Sequence, residues 1–361
     1  MRKVYHIVSN KVWGGGEQYV YDLAQLQLQN GMQVEIFCKP EEVIINKFLE
    51  LGVSVYPLRL NGAIDFKSAW KMAAIVTEGS LIHAHNFKDA FTASYARKLS
   101  HCKDLKVIAS RHLTRKGKNT LLYQWLYKQL DWLVFDSNIA RDVFMSTKPL
   151  MDVGKTSVIH TSIVLPENVV SAGIRQEYEI EEDEVIAMYH GRLDPEKGLD
   201  TLLTATSMNK EKKFKLVLVG KGTDKYTEYL HHQTEMMGIA DKVIMTGFRH
   251  PVLPYVKDAD FGILASVVRE GCPLSPQEYM SQGHPVVVTN NGGQREYVVN
   301  ERNGLLINPG DAGQLATAME RMIDDEALRN KLGQQARKDF GQLLSYDHLF
   351  DKIKQLYEYI G

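Results

Sequence analysis

Cysteine is scarce in this chain of 361 residues: only Cys38, Cys102 and Cys272, with no CxxC pair and no zinc spacing. An odd, scattered set does not build a disulfide framework, and a reducing, cytoplasmic home is the simplest expectation. Excess charge is missing too. Lys and Arg number 43 against 44 Asp and Glu, a formal net charge of −1. The whole molecule is not a polycation, and no nucleic-acid partner is expected. No window approaches the ~18 consecutive apolar residues of a membrane helix. Met1-Arg2-Lys3 leads straight into a strand-like run, without the apolar segment and small residues of a signal peptide, so none is expected. Low-complexity tracts and short repeats are also lacking. What is present is an ordinary globular composition, 44% hydrophobic and 24% charged, at a length that suits about two domains.

The order along the chain is strand, loop, helix, repeated. Val4–Val8, Val34–Cys38, Leu81–His83, Lys106–Ala109 and Leu133–Phe135 are short apolar runs separated by helical segments. The alternation restarts after about residue 165, with strands expected at Glu184–Tyr189, Phe214–Val219, Val243–Thr246, Gly262–Ala265 and Pro285–Thr289. The pattern implies an α/β protein of two doubly wound, parallel-sheet domains, 1–165 and 166–344, joined near Ile163–Asn168. The aromatic-rich helical stretch 345–361 is expected to cross back to the first domain. Ligands of such sheets bind beyond the carboxyl ends of the strands, so the chemistry is sought in the loops there.

Five loops qualify. Trp13-Gly14-Gly15-Gly16-Glu17 opens a helix and offers free N–H groups to an anion, or is a flexible turn. It is not GxGxxG, and no acid ends the second strand, which weakens a dinucleotide reading. His190-Gly191-Arg192-Leu193-Asp194-Pro195-Glu196-Lys197 places two cations five apart, suited to a diphosphate, or is a solvated turn. Val219-Gly220-Lys221-Gly222 lacks the full Walker spacing. In Arg269–Glu278, Glu270 lies in a loop and Glu278 in the helix that follows, two carboxylates able to accept from paired hydroxyls, or two surface acids. Asn290-Asn291-Gly292-Gly293 is a turn between strand and helix.

Taken in order, these segments resemble the family 4 retaining glycosyltransferases, which have the GT-B fold of two Rossmann-like domains facing across a cleft. The resemblance rests on GGGEQYVYDLAQLQLQNGMQVEIF, HGRLDPEKGLDTLL, LVLVGKG, IMTGF, YVKDADFGILAS, EGCPLSPQEYMSQGHPVVVTNNGGQREYV with its E-x7-E spacing, and GLLINPGD. It spans nearly the whole chain and is densest in the second half. It implies an N-terminal acceptor domain and a C-terminal nucleotide-sugar domain. Arg192 and Lys197 would neutralise the donor diphosphate, Glu270 would hold sugar hydroxyls, and Glu278 the nucleotide ribose. Gly15, Gly16, Gly191, Gly220, Gly271, Cys272, Pro273 and Leu274 would line the donor. His85 would stand near the sugar, with His112 a further candidate; either is otherwise a satisfied, partly buried residue. Pro273 stands where many members have glycine and offers no N–H. The family needs no DxD-bound metal, so Asp258-Ala-Asp260 is read as structural and no cofactor is expected.

The implied reaction moves a hexose-type group from a UDP- or GDP-sugar to an acceptor hydroxyl with retention, in polysaccharide, lipopolysaccharide or glycolipid synthesis. A GT-B sugar-nucleotide epimerase and a non-catalytic sugar-nucleotide-binding subunit are the alternatives. From Arg97 to Lys118 there are eight Lys and Arg with only Asp104 opposing. Leu122, Tyr123, Trp125, Leu126, Tyr127, Leu130 and Trp132 follow. Such a basic, aromatic segment suits a lipid-linked acceptor or an anionic membrane at the inner face of the cell membrane, or else a core-facing helix with a solvated flank.

Overall fold

The computed structural model describes residues 2–361. They form two compact units, one running to His160 and including Asp347–Gly361, the other Thr161–Tyr346.

In the first unit, β1 (Val4–Val8), β2 (Val34–Cys38), β3 (Val55–Pro57), β4 (Leu81–Ala84), β5 (Lys106–Arg111), β6 (Trp132–Phe135) and β7 (Thr156–Val158) form one sheet. Its order is β3-β2-β1-β4-β5-β6-β7, all parallel. The helices between them are α1 (Gly15–Gln29), α2 (Glu42–Leu49), α3 (Phe66–Ala73), α4 (Phe87–Leu99), α5 (Leu121–Gln129) and α6 (Asn138–Met145). β1 and β4 are buried along their whole length, as parallel strands covered on both faces must be. One face packs Tyr5, Ile7 and Phe37 against Phe91, Leu126 and Phe144. The other packs Val4, Val8 and Ile36 against Val20, Leu23 and the chain's last helix.

In the second unit the helices are α7 (Ile174–Glu177), α8 (Leu199–Met208), α9 (Asp224–Met236), α10 (Leu253–Lys257), α11 (Leu274–Gln282), α12 (Ala312–Asp324) and α13 (Glu326–Leu343). The strands are β8 (Val185–His190), β9 (Phe214–Val219), β10 (Val243–Gly247), β11 (Phe261–Leu264), β12 (Val286–Thr289) and β13 (Gly304–Ile307). They pair in parallel in the order β10-β9-β8-β11-β12-β13. Gly262 lets α11 lie on this sheet: a Cβ there would come within 2.0 Å of the Tyr279 ring. That close approach sets how far Glu278, one residue earlier, reaches toward β8.

The last helix, α14 (Tyr346–Ile360), belongs almost wholly to the first unit. Leu349, Phe350, Ile353, Leu356 and Tyr357 recur at helical spacing and all are buried. Burying each such side chain contributes roughly 1.5–3 kcal/mol. Both sheets reverse strand order at one point, β1/β4 in the first and β8/β11 in the second. Such a switch point opens a crevice beyond the carboxyl ends of its strands.

Candidate active site

Beside the β8/β11 switch point, the loops after β8 and β9 are pressed together through their backbones. Gly191 N–H donates to Val219 O (2.9 Å), and Leu193 N–H to Lys221 O (3.1 Å). Gly220, at φ +155°, must be glycine because a Cβ would fall 1.8 Å from Gly191 O. The Tyr189 hydroxyl donates to Arg192 O (2.7 Å), fixing the loop's exit. The Arg192 side chain itself is 65% exposed, with only Asp194 at 3.5 Å. So open an ion pair binds weakly and leaves the guanidinium available.

Lys197 lies at the far end of the same loop. Its Nζ donates to Glu270 Oε1 (2.7 Å), which also accepts from the Ser266 hydroxyl (2.6 Å). Both partners are largely sheltered, so each neutralises the other. Gly293 N–H donates to Glu270 O (3.0 Å), and Asn291 donates from its amide to Ser266, Val267 and Val268 carbonyls, holding the loop around the carboxylate. Glu278 is gripped by a second cation-capable group. His190 Nε2 shares a short hydrogen bond with Glu278 Oε2, while Nδ1 pairs with the Tyr279 hydroxyl at 2.8 Å. That hydroxyl donates to Met188 O (3.0 Å), so His190 Nδ1 is the donor in the pair. A cavity of about 370 Å³ opens beside these groups, lined among others by Gly191, Arg192, Gly220, Lys221, Phe248 and His250. The Phe248 and His250 rings are parallel within 8°.

Gly271, Cys272, Pro273 and Leu274 lead from Glu270 into α11. Pro273 is the N-cap, in extended backbone, and no side chain caps the helix. The missing proline N–H costs nothing at that position, because the uncapped donors begin at Leu274. Cys272 is buried and packs with Tyr279 and Tyr297, so its side chain serves the core.

The β1/β4 switch point is built differently. Gly15 and Gly16 form the first turn of α1, with no side-chain cap. A Cβ at either would meet nothing within 4 Å, so no internal contact demands glycine there. Glu17 is buried in the same turn and accepts from Asn10. Beyond β4 and β5 stand His85 and His112, ring planes 12° apart, with Tyr19 edge-on to both. His6 and His83 lie directly beneath. Desolvation holds His6 and His112 down at about 4 and His83 and His85 well below the usual imidazole value, so all four are neutral at pH 7. His6, His83 and His85 are the one set among the described residues with ring nitrogens close enough to share a metal ion. Their nitrogens are mostly engaged already, by Gln27, Tyr357, Ser110 and each other, and no carboxylate joins them.

Asp258 and Asp260 serve the backbone. Asp258 accepts from Ile174 N–H (3.0 Å); Asp260 accepts from Ile186 N–H (2.7 Å) and pairs with Arg175 at 3.2 Å. The aromatic helix α5 turns inward: Trp125 stacks on Tyr95, with ring centroids 4.9 Å apart, and Leu126 and Tyr127 are buried. The aromatic face named above for a membrane is therefore mostly spent on the core. Much of the basic flank is also engaged, Arg97 with Asp131 and Arg111 over Phe87 and Phe144. Among the described residues no helix is long and apolar enough to cross a membrane.

Sequence reasoning alone does not single out Ser266 or Gln27, and it names His190 and Asn291 only as members of candidate loops, without a role. Asn291 carries a signal, an Asn-Gly-Gly turn after a strand, and His190 opens the His-Gly-Arg loop; Ser266 and Gln27 carry none.

Two family models match, one to each half: Glycosyltransferase Family 4 over residues 13–165 and Glycosyl transferases group 1 over 171–339. The chain belongs to the family 4 glycosyltransferases. This glycosyltransferase is 29% identical over 281 residues to EpsD of Bacillus subtilis, named as a glycosyltransferase, covering 72% of each chain. It is 24% identical over 384 aligned positions to the glycosyltransferase MJ1607 of Methanocaldococcus jannaschii, covering 96% of this chain and 95% of that one. It is 31% identical over 141 residues to an Escherichia coli UDP-Gal:alpha-D-GlcNAc-diphosphoundecaprenol alpha-1,3-galactosyltransferase, covering 39% and 36%. Among solved structures, a Rickettsia africae glycosyltransferase superposes with TM-score 0.86 at 18% identity, covering 99% and 98%. Anabaena HepE in complex with UDP gives 0.83 at 18%, covering 99% and 100%. The fold is GT-B, and the protein is an enzyme of sugar transfer.

Proposed function

We propose that this glycosyltransferase takes a hexose-type sugar from a UDP- or GDP-linked donor and transfers it, with retention, to an acceptor hydroxyl in polysaccharide, lipopolysaccharide or glycolipid assembly. The observation that carries the proposal is the pair of sheltered contacts at the β8/β11 switch point, Lys197–Glu270 and His190–Glu278, beside the exposed Arg192.

The chemistry follows from those groups. The bond between the anomeric carbon and the donor phosphate oxygen breaks, and negative charge grows on the diphosphate. Arg192 and Lys197 stabilise that charge, a fixed electrostatic contribution greatest in the transition state. When Lys197 turns to phosphate, Glu270 is freed to accept from sugar hydroxyls. Glu278, oriented by His190, accepts from the ribose. Phe248 and His250 offer flat faces to the base, and Gly191, Gly220 and Gly271 let the donor approach the backbone. The acceptor oxygen bonds to the anomeric carbon, and its proton leaves on the departing phosphate. Gly15, Gly16, His85 and His112 are assigned to the substrates at the first unit. No divalent ion is required in this scheme, so transfer should survive EDTA.

Support for a nucleotide donor comes from the Anabaena neighbour, which was crystallised with UDP-glucose, and for a lipid-linked acceptor from the name of the Escherichia coli relative. For contact with anionic membrane, exposed Leu113 and Leu121 beside Arg115, Lys116 and Lys118 are the remaining candidates. Co-sedimentation with anionic vesicles at low salt is expected, and its absence removes that part. The decisive assay incubates UDP- and GDP-hexoses with and without hydroxyl acceptors and reads the anomeric configuration by NMR. Transfer with retention only when acceptor is present is expected; an epimerised donor without acceptor would overturn the proposal.

A further inference from the structure

A continuous chain of hydrogen bonds runs through the core of the first unit. His6 and His83 are register partners on β1 and β4. Gln27 of α1 is fully buried between His6 and Tyr357 of α14. Its Oε1 stands 2.8 Å from His6 Nε2, and its Nε2 3.3 Å from the Tyr357 hydroxyl. That hydroxyl is 2.7 Å from His83 Nδ1, and His83 Nε2 is 2.7 Å from the Ser110 hydroxyl. At the other end, His6 Nδ1 is 2.9 Å from His85 Nε2.

The amide oxygen can only accept and the amide nitrogen only donate, so the direction of every proton in the chain follows from Gln27. Its oxygen requires the proton of His6 on Nε2, which leaves His6 Nδ1 bare. His85 must then donate from Nε2, which leaves His85 Nδ1 bare. On the other side the amide nitrogen donates to Tyr357, whose own proton has His83 Nδ1 as its one acceptor among the described residues, and His83 then donates from Nε2 to Ser110. All three rings are protonated on Nε2 alone. Reversing the amide would reverse every one of them. His85 Nδ1 is buried and has no hydrogen-bond partner among the described residues, an acceptor left for an ordered water or a bound hydroxyl to satisfy.

We propose that Gln27 is a positioning residue: its amide sets the tautomers of His6, His83 and His85, and so presents His85 Nδ1 as a bare acceptor for a sugar hydroxyl. This rests on the sugar-transfer reading for the identity of the hydroxyl, but the tautomers themselves belong to the free protein. With His85 Nδ1 accepting, a sugar is held by a neutral contact that does not compete with phosphate for charge.

The test is side-chain ¹⁵N NMR of the full chain with labelled histidine, without ligand. The expected result is three rings protonated on Nε2, with His85 Nδ1 at the shift of a bare imidazole nitrogen. His85 protonated on Nδ1 would overturn the proposal, whatever the enzyme transfers. Gln27→Leu should give mixed tautomers at His6 and His85 and lower kcat about tenfold, the loss of one hydrogen bond's worth of positioning, with the KM for donor unchanged. Wild-type tautomers or wild-type kcat in Gln27→Leu would count against it. The wild-type spectrum decides the matter even where the variant does not fold.

Discussion

The two units share one strand order over six strands, the first adding β7 at its edge, and the ends of their central strands carry opposite chemistry. At β8/β11 the crevice is charged: Lys197 holds Glu270, His190 holds Glu278, and Arg192 stands open. At β1/β4 it is neutral in its histidines: four are stripped of water, and three of them, His6, His83 and His85, are linked through an amide, a phenol and a hydroxyl. Strand order accounts for where each crevice lies; the loop and strand-end residues decide what it can hold. A charged crevice suits a diphosphate that gains charge as its bond to sugar breaks. A neutral one suits hydroxyls, which are recognised by direction rather than charge.

The largest expected difference between the units is their response to acid. His6 and His112, held at about 4, ionise freely once the chain unfolds. Their contribution is full above pH 6.5 and is lost as pH falls toward 4, on the order of 3 kcal/mol each at the acid limit. Asp89, buried and raised to about 7, works the other way: its contribution is full below the ordinary carboxyl range and is lost as pH rises through 7. Chemical denaturation between pH 7 and 4.5 should therefore show the first unit losing stability steeply while the second holds, and Asp89→Asn should steepen that loss. Equal loss in the two units would erase the contrast.

Second in size is the effect of breaking the charged crevice. Glu270→Ala and Lys197→Ala should each lower the transfer rate ~100-fold or more. The melting temperature should move by only a few degrees, since Ser266, Asn291 and Gly293 still hold the loop. Rates near wild type in both variants would remove the charged crevice from the reaction. Smaller is His85→Phe, which deletes one hydroxyl contact. It should cost about tenfold in kcat/KM while nucleoside diphosphate affinity is kept. Smallest is the exposed Arg192–Asp194 pair: raising salt to 0.5 M should change thermal stability little, within about 1 kcal/mol. A large salt effect would place Arg192 in the frame of the fold rather than in the site.

The central strands are readable from sequence because they are largely apolar runs buried on both faces, as at Val4–Val8, broken only by His6, and Phe214–Val219, broken only by Lys215. β3 and β7 escape that reading: each has three residues and lies at a sheet edge, half in water, with no apolar run to mark it. Arg192, Lys197, Glu270 and Glu278 can be named from motif spacing. Their pairing cannot, since Lys197 meets Glu270 across 73 residues and His190 meets Glu278 across 88. Gln27 and Tyr357 are less visible still. One is an unremarked glutamine inside a helix, and the other comes from a helix 330 residues later.

The most direct test of the contrast is calorimetric titration of UDP and GDP, nucleotides without sugar, into the wild type, Lys197→Ala and His85→Phe. At least one nucleotide should bind the wild type, weaken about tenfold or more in Lys197→Ala, and bind His85→Phe unchanged. Equal weakening in both variants, or loss in His85→Phe alone, would contradict the division of labour between the charged and the neutral crevice.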